Sequence, residues 1–317
     1  MWLSTLGTFS KTLISRPCLT GSSRVHASLK NEIVGVAVCR RPILSDLTLV
    51  GPTETKPRFT SNWRELVLTA KVTRDGQAVL GRAITYRLVP KAAGDGHEHG
   101  LRDKPTGSIV GGVAKASGEF LGGTTNAAGE VKLPYLPSEF SGVYTLEVSC
   151  LGCSNKAALD ITVRVPDLVA LGPDTQLPAR YALIGETTTH PGNHYFSKAA
   201  NQALLGLIRT FQGPELNWGE LGINDASLVW GGRFDIGANW AGSHHEHLEG
   251  AEVDISFYRP NGIPSELRRK TYNKLAEGEV FASPQTLWHF NDNPSTGSKA
   301  HFHVYLLGQR ASFKSPY

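Results

Sequence analysis

The 317-residue chain contains no apolar run long enough to cross a membrane, and it lacks long runs of basic residues. A membrane-spanning helix needs about 18–20 consecutive apolar residues, so we expect no transmembrane segment. The formal net charge is only +4, and the Lys and Arg residues are spread along the chain. Nucleic-acid-binding proteins usually gather these residues on one stripe, so we expect no nucleic-acid partner. Nothing in the sequence indicates an oligomeric state.

Cysteine is also scarce, with four residues in the whole chain. Cys150 and Cys153 form a single CxxC motif, and no second CxxC completes a four-thiolate zinc site. Because the motif follows a strand-like segment, we expect a local disulfide at a strand end, with two free thiols as the alternative. Cys18 and Cys39 stand too far from other cysteines to support an interpretation.

The first thirty residues contain no Asp or Glu and are rich in Ser, Thr and basic side chains. A secretory signal needs an unbroken apolar centre of about 7–15 residues, and Ser, Thr and Lys interrupt it here. The composition is as typical of an organelle transit peptide as of a secretory signal. For residues 1–59 we therefore predict only a poorly defined N-terminal segment.

Residues 60–165 consist of strand-sized segments separated by turns. Asp75-Gly76 lies between two segments of alternating apolar residues, which predicts a β-hairpin. Further segments of this kind follow without a convincing helix, which indicates an all-β sandwich. The stretch "TTNAAGEVKLPYLP…SGVYTLEVSC" resembles the closing strands of bacterial Ig-like domains. That resemblance implies a spacer or adhesive module.

The segment "GDGHEHG", residues 94–100, interrupts this region with two potential metal-binding side chains, His97 and His99. The surrounding Gly and Asp residues are typical of a mobile loop between strands. The alternative interpretation is a loop that reaches over a neighbouring active site.

Residues 166–179 are rich in Pro, Gly and polar residues and predict a linker, which is followed by a second domain at 180–317. The segment "SKAANQALLGLIRTFQG" predicts an amphipathic helix capped by Ser197 and ended by Gly213. The segment "PSELRRKTYNKLAEGE" predicts another helix, capped by Ser265. Helices that alternate with short apolar strands indicate an α+β domain.

Three histidines and four carboxylates are concentrated in "SHHEHLEGAEVDIS", residues 243–256, although only 19% of the chain is charged. A turn at Gly250 can bring His247 back beside Asp254 on the following strand. Asp254 stands between Val253 and Ile255, and a carboxylate is costly to bury there unless it is paired or binds a cation. We therefore favour a metal site over a solvated polar loop.

A second histidine pattern, "HFHV" at residues 301–304, places His301 and His303 on the same face of a predicted strand. Zinc sites for hydrolysis use three protein ligands and leave the fourth position to water. His247, Asp254 and His303 supply such a set. His301 is then left as a group that can handle a proton.

Together, "HHEHLEGAEVDI" and "HFHVYL" resemble the LAS zinc metallopeptidases, and within them the penicillin-insensitive murein endopeptidases most closely. The resemblance covers roughly residues 180–310. It implies Zn²⁺ bound by the three ligands given above, with His301 as base or transition-state stabiliser. It also implies that His244 is an additional active-site histidine. The dipeptidase branch has a glutamate base at the position of Ala300, so such a base is excluded here.

Several other residues are candidates for supporting roles. Asp235 is a candidate hydrogen-bond partner for the ligand imidazoles. His190 and His194 lie in a Gly/Pro turn and are predicted loop residues, with a place at the border of the cleft as the alternative. Trp240 is expected in the core or the cleft wall.

The expected architecture is multi-domain, with an N-terminal all-β Ig-like sandwich followed by an α+β LAS-type zinc peptidase domain. The resemblance implies an enzyme that hydrolyses amide bonds with a metal-activated water. Its implied substrate is peptidoglycan or another peptide, which requires a secreted or periplasmic location. One alternative is a non-enzymatic Ig-like binding protein with a structural or vestigial zinc site. Another is a metallohydrolase that acts on a different amide or ester.

Overall fold

β-Strands dominate the part of the chain that the computed structural model describes, which comprises residues 44–172, 181–213, 221–241, 247–257, 287–289 and 301–306. One α-helix accompanies the strands in these ranges. No helix there is both long and apolar enough to span a membrane. The described residues belong to one compact unit that begins at Leu44.

The first eleven strands form two mainly antiparallel sheets. Their bounds are β1 Asp46–Val50, β2 Glu54–Thr55, β3 Leu66–Arg74, β4 Gln77–Ala78, β5 Ala83–Lys91, β6 Ser108–Ile109, β7 Val113–Ala114, β8 Phe120–Thr124, β9 Glu130–Leu136, β10 Gly142–Cys150 and β11 Ala157–Val163. One sheet has the order β1-β3-β9-β6, with β4 paired to β3, and the other has the order β2-β11-β10-β5-β8-β7. The two sheets are joined by one apolar core.

Alternation of side chains along each strand builds this core. On β3, Leu66, Leu68, Ala70 and Val72 are buried, whereas Val67 between them is exposed. This period of two is what a strand with one face toward a core requires. The inward residues of β9, β10 and β11 meet those of β3 in a single cluster. The all-β prediction for this region is therefore confirmed.

The predicted hairpin turn at Asp75-Gly76 is present, with φ of 52° and 76° at the two residues. Two consecutive left-handed residues form the turn whose twist matches that of paired strands. The returning strand β4 pairs with β3 over only two residues. Thr125 then bonds to Val79, Gly81 and Arg82, and the chain crosses to the other sheet as β5.

The ends of the sandwich differ in detail from the sequence-based boundaries. Strands β1 and β2 lie before residue 60 and each adds to one of the two sheets, so the sandwich begins near Asp46. At the end of β10, Cys150 and Cys153 form the expected disulfide, with a Cα–Cα distance of 5.5 Å. The predicted linker contains a short strand, β12 (Val169–Ala170), which pairs with the later strand β14 (Tyr195–Phe196).

The last sheet carries the predicted active-site segments. Its strands, in spatial order, are β13 (Tyr181–Leu183), β15 (Leu221–Ile223), β16 (Glu252–Phe257), β18 (His301–Tyr305) and β17 (Leu287–His289). The β13–β15 pair is parallel and the other pairs are antiparallel. Val253, Ile255 and Val304 form the apolar side of the sheet and belong to one buried cluster with the helix.

The helix α1 (Lys198–Phe211) agrees with the predicted amphipathic segment. Ser197 Oγ accepts a hydrogen bond from the Ala200 amide at 3.2 Å, so Ser197 is the N-cap. The stripe residues that bury against the sheet are Ala200, Leu204, Leu207 and Ile208. The other predicted helix, within residues 264–279, lies outside the described residues.

The sandwich and the later segments contact each other directly. Phe140 forms a β-bridge with Gly232, and the Val165 amide donates a hydrogen bond to the Trp230 carbonyl at 2.8 Å. A Cβ at Gly232 would lie 2.9 Å from both the Glu139 carbonyl oxygen and the Ser141 nitrogen, so the backbones approach too closely for a side chain. The two regions are thus packed without an intervening gap at this point.

Candidate metal centres

His247 and Asp254, two of the three predicted zinc ligands, lie side by side in the structure. His247 Nε2 is 3.6 Å from Asp254 Oδ1, and the side chains are only 2% and 7% exposed. Zinc–ligand bonds of about 2.0–2.2 Å in tetrahedral geometry separate two ligand atoms by about 3.3–3.6 Å. The observed separation fits this range, so these two side chains suit a common zinc ion.

The turn that brings them together depends on Gly250. This residue has a φ of 66°, and a Cβ there would lie 2.7 Å from the Phe196 Cα atom. The incoming segment is held by the His247 amide, which donates a hydrogen bond to Glu252 Oε2 at 2.9 Å. The backbone of Asp254 is bonded to Asn224 and Asp225 at 2.8 Å each, which fixes the strand on which the carboxylate stands.

The strand register brings in the third predicted ligand position. In the β16–β18 ladder, Asp254 pairs with His303 and Ser256 pairs with His301. Directly paired residues of an antiparallel ladder occupy one face of the sheet. The side chains of His301 and His303 and all of His244 lie outside the described residues, so their roles remain predictions.

A second group of metal-binding side chains surrounds Asp235. The Nε2 atoms of His190, His99 and His97 lie 3.1, 3.3 and 3.5 Å from Asp235 Oδ1. The side chain of Asp235 is fully buried, and none of the three imidazoles is more than 7% exposed. In His97, His190 and Asp235, one ligand atom from each residue lies within 4.8 Å of the others. This buried group could hold a metal ion.

The residues of this group come from two parts of the chain, the β-sandwich and the segments that follow it. His97 and His99 belong to the loop between β5 and β6, whereas His190 precedes β14 and Asp235 lies between β15 and β16. The Glu98 amide donates to the Thr189 carbonyl at 2.7 Å, and Trp240 Nε1 donates to the Gly100 carbonyl at 2.8 Å. The interpretation of 94–100 as a mobile loop between strands is therefore wrong for its two histidines, because the loop docks onto the later segment.

The electrostatics of the group favour an anionic carboxylate. Burial opposes ionisation of Asp235, but hydrogen bonds from His190 and the Trp240 amide, with the nearby His97 and His99, lower its pKa below the usual value. The Trp240 amide donates to Asp235 Oδ2 at 2.6 Å. Burial lowers the pKa of His99. A carboxylate oxygen and imidazole nitrogens form a donor set that suits zinc.

A buried ion pair lies next to this group. Lys104 Nζ donates a hydrogen bond to Asp95 Oδ2, and the two side chains are 1% and 3% exposed. Lys104 Nζ also lies 5.2 Å from the centre of a Trp240 ring. The Trp240 and His99 rings are in contact, with a centroid distance of 4.0 Å and an angle of 38° between their planes. The ammonium charge is thus compensated by Asp95 beside the histidines.

The sequence interpretation anticipated some of these residues in other roles. Asp235 was expected as a hydrogen-bond partner of the zinc ligands, and it hydrogen-bonds to His190. His194 is also buried, but it belongs to neither group. Its Nε2 atom lies 2.9 Å from the carbonyl oxygens of Ile184 and Ile223. The useful sequence signal for the second group was the HxH pattern of 97–99, which periodicity alone could not connect to Asp235.

Comparisons with known proteins leave the family of the chain open. No family model matches it, and no curated protein matches it. The adhesin InvE of Yersinia pseudotuberculosis matches with 14% identity and a TM-score of 0.29, over 39% of this chain and 33% of that chain. BslA, a bacterial hydrophobin, matches with 16% identity and a TM-score of 0.17, over 38% of this chain and 95% of that chain. The chain therefore spans about one third of the length of InvE, and neither likeness carries an argument about function.

Proposed function

We propose that the protein is a zinc-dependent hydrolase of amide bonds, with zinc held by His247, Asp254 and His303. The observation that carries the proposal is the buried His247–Asp254 pair, 3.6 Å apart. Asp254 lies on β16, and the β16–β18 register pairs it with His303. In this proposal, residues 180–317 form an α+β peptidase domain of the LAS type, similar to the murein endopeptidases.

The residues of the chain divide the chemical work between them. When bound, zinc would supply a Lewis acid that activates water and polarises an amide carbonyl. Two neutral imidazoles and one carboxylate leave net positive charge at the site, which favours this role. His301 stands two residues from His303 on the same strand and would take or supply a proton, an effect worth about 10²–10⁴-fold in rate. His244 would be a supporting histidine.

The proposed substrates are peptidoglycan stem peptides or cross-links, in keeping with the two histidine motifs. Such a substrate places the working protein outside the cytoplasm, in a secreted or periplasmic location. In this arrangement the β-sandwich packs directly beside the hydrolytic domain, as the contact between Phe140 and Gly232 supports.

The test measures bound zinc and turnover on the same protein. The wild type should bind zinc and digest isolated peptidoglycan. His301→Ala should retain zinc and lose about 10²–10⁴-fold in rate. Asp254→Asn should lose zinc from this site together with hydrolysis. His194→Gln is the matched control, because this buried histidine belongs to neither metal group, and it should keep both properties.

Three outcomes would change the proposal in different ways. A zinc content that neither Asp254→Asn nor His303→Gln changes would refute the ligand assignment. Zinc bound at this site with no hydrolysis of wall or peptide substrates would favour the alternative, a non-enzymatic Ig-like binding protein with a structural or vestigial zinc site. Hydrolysis restricted to another amide or an ester would retain the chemistry and change the substrate class.

A further inference from the structure

We propose that His97, His190 and Asp235 bind a second divalent cation, of the zinc type, that fastens the β-sandwich to the C-terminal segments. The site is separate from the proposed hydrolytic zinc site and shares none of its ligands. Its role is structural, and it stands whether or not the protein is a hydrolase.

The distances around Asp235 are the first support. Asp235 Oδ1 lies 3.1 Å from His190 Nε2 and 3.5 Å from His97 Nε2. Tetrahedral zinc with bonds of about 2.0–2.2 Å brings neighbouring ligand atoms to about 3.3–3.6 Å. The ligand atoms of the three residues already lie within 4.8 Å of one another, so small side-chain adjustments would allow them to bind one ion. Two imidazoles and one carboxylate form a recurrent set of zinc ligands.

The second support is a set of buried ring nitrogens that lack hydrogen bonds. Among the described residues, neither ring nitrogen of His99 makes a hydrogen bond of normal geometry, and the same holds for His97 Nδ1. His99 Nε2 nevertheless lies 3.3 Å from Asp235 Oδ1, with a side chain that is 7% exposed. A buried polar atom without a partner costs about 1–3 kcal/mol. An ion beside Asp235 would give His99 a partner, with its imidazole as the fourth ligand.

The surroundings indicate a structural role for this ion. The side chains of His97, His190 and Asp235 are at most 1% exposed. In structural zinc sites protein ligands fill every coordination position, whereas catalytic sites keep one position for water. His99 Nε2, 3.3 Å from Asp235 Oδ1, can fill the fourth position here. Lys104 is the nearby cation, and its charge is compensated by the buried Asp95 carboxylate. The site therefore retains the negative charge of Asp235 for a divalent ion.

The location explains what the ion would do for the fold. His97 lies in the loop between β5 and β6 of the sandwich, whereas His190 and Asp235 follow the predicted linker. An ion that binds only when these segments meet stabilises the assembled state and leaves the separated state unaffected. Removal of the ion should therefore loosen the contact between the sandwich and the C-terminal segments.

The experiment compares metal content across four proteins: the wild type, Asp235→Asn, Asp254→Asn and His194→Gln. Metal is measured by elemental analysis after zinc loading and gel filtration. We expect two equivalents in the wild type and in His194→Gln, and one in each Asp variant. Cobalt substitution should give separate absorption spectra for the ions that remain in Asp235→Asn and in Asp254→Asn. Chelation should lower the melting temperature of Asp254→Asn more than that of Asp235→Asn.

The outcomes separate this site from the hydrolytic one. If the wild type binds one equivalent of metal, which Asp254→Asn loses and Asp235→Asn keeps, the second site is refuted and the hydrolytic site is retained. If the wild type binds one equivalent of metal that only Asp235→Asn loses, the second site is supported and the ligand assignment of the proposed hydrolytic site is refuted. If Asp235→Asn does not fold, His97→Gln provides the same comparison from the sandwich side. A His97→Gln variant that retains two equivalents overturns the proposal.

Discussion

Replacing Lys104 with Met should destabilise the protein strongly, because the buried Asp95 carboxylate then loses its cation. The Lys104 and Asp95 side chains are 1% and 3% exposed. Breaking a buried ion pair from one side costs about 3–5 kcal/mol. At about 2–4 °C per kcal/mol for a large domain, the melting temperature should fall by roughly 6–20 °C. The His97 amide, 3.1 Å from Asp95 Oδ1, remains as a donor and keeps the cost near the lower end.

The measurement is thermal and urea unfolding followed by circular dichroism, with Lys91→Met as the matched control. Lys91 pairs with Asp160, and these side chains are 49% and 50% exposed. An exposed pair contributes about 0–1 kcal/mol, so this variant should unfold close to the wild type. The double change Lys104→Met with Asp95→Asn removes both charges, keeps an acceptor for the His97 amide and should recover much of the loss. A Lys104→Met variant as stable as Lys91→Met would refute the reasoning.

Three further predictions concern local features of the fold, and urea unfolding tests each. Leu204→Ala removes a fully buried side chain of α1 and should cost about 2–5 kcal/mol; a loss below 1 kcal/mol would contradict the described packing. Ser197→Ala should cost about 0.5–2 kcal/mol through loss of the helix cap, and Ser197→Asp should restore most of it; equal losses would exclude capping. Gly76→Ala should cost about 1–2 kcal/mol because its φ is 76°, although its Cβ would meet nothing within 4 Å; a neutral change would mean that the turn is formed differently.

The elements that could be predicted from the sequence are those determined by nearby residues. The helix α1 follows from a capping serine and an apolar stripe within fifteen positions, and both are observed. The turn at Asp75-Gly76 follows from two adjacent residues that accept left-handed backbone angles. The Cys150–Cys153 disulfide spans only three positions. Each of these depends little on the remainder of the fold.

The second group, around Asp235, depends on contacts that the sequence does not encode locally. His97 Nε2 and the Arg233 carbonyl oxygen are 136 positions apart along the chain and 3.1 Å apart in the structure. Glycine and aspartate around His97 are typical of loops, and they do indicate a loop here. Residue type cannot show where a loop docks, and docking is what buries these imidazoles against Asp235. The His247–Asp254 pair could be predicted from the sequence, because Gly250 turns the chain over a short distance.

The docking of the β5–β6 loop also has a consequence for synthesis on the ribosome. The Gly100 carbonyl receives its hydrogen bond from Trp240, which lies 140 positions later in the chain. At about 5–20 residues per second, roughly 7–28 s pass between the emergence of these two residues. During that interval the nascent sandwich presents His97, His99 and the Lys104–Asp95 pair without their cover. The newly made chain is therefore expected to be most sensitive to misassociation, and to stray metal ions, before Trp240 emerges.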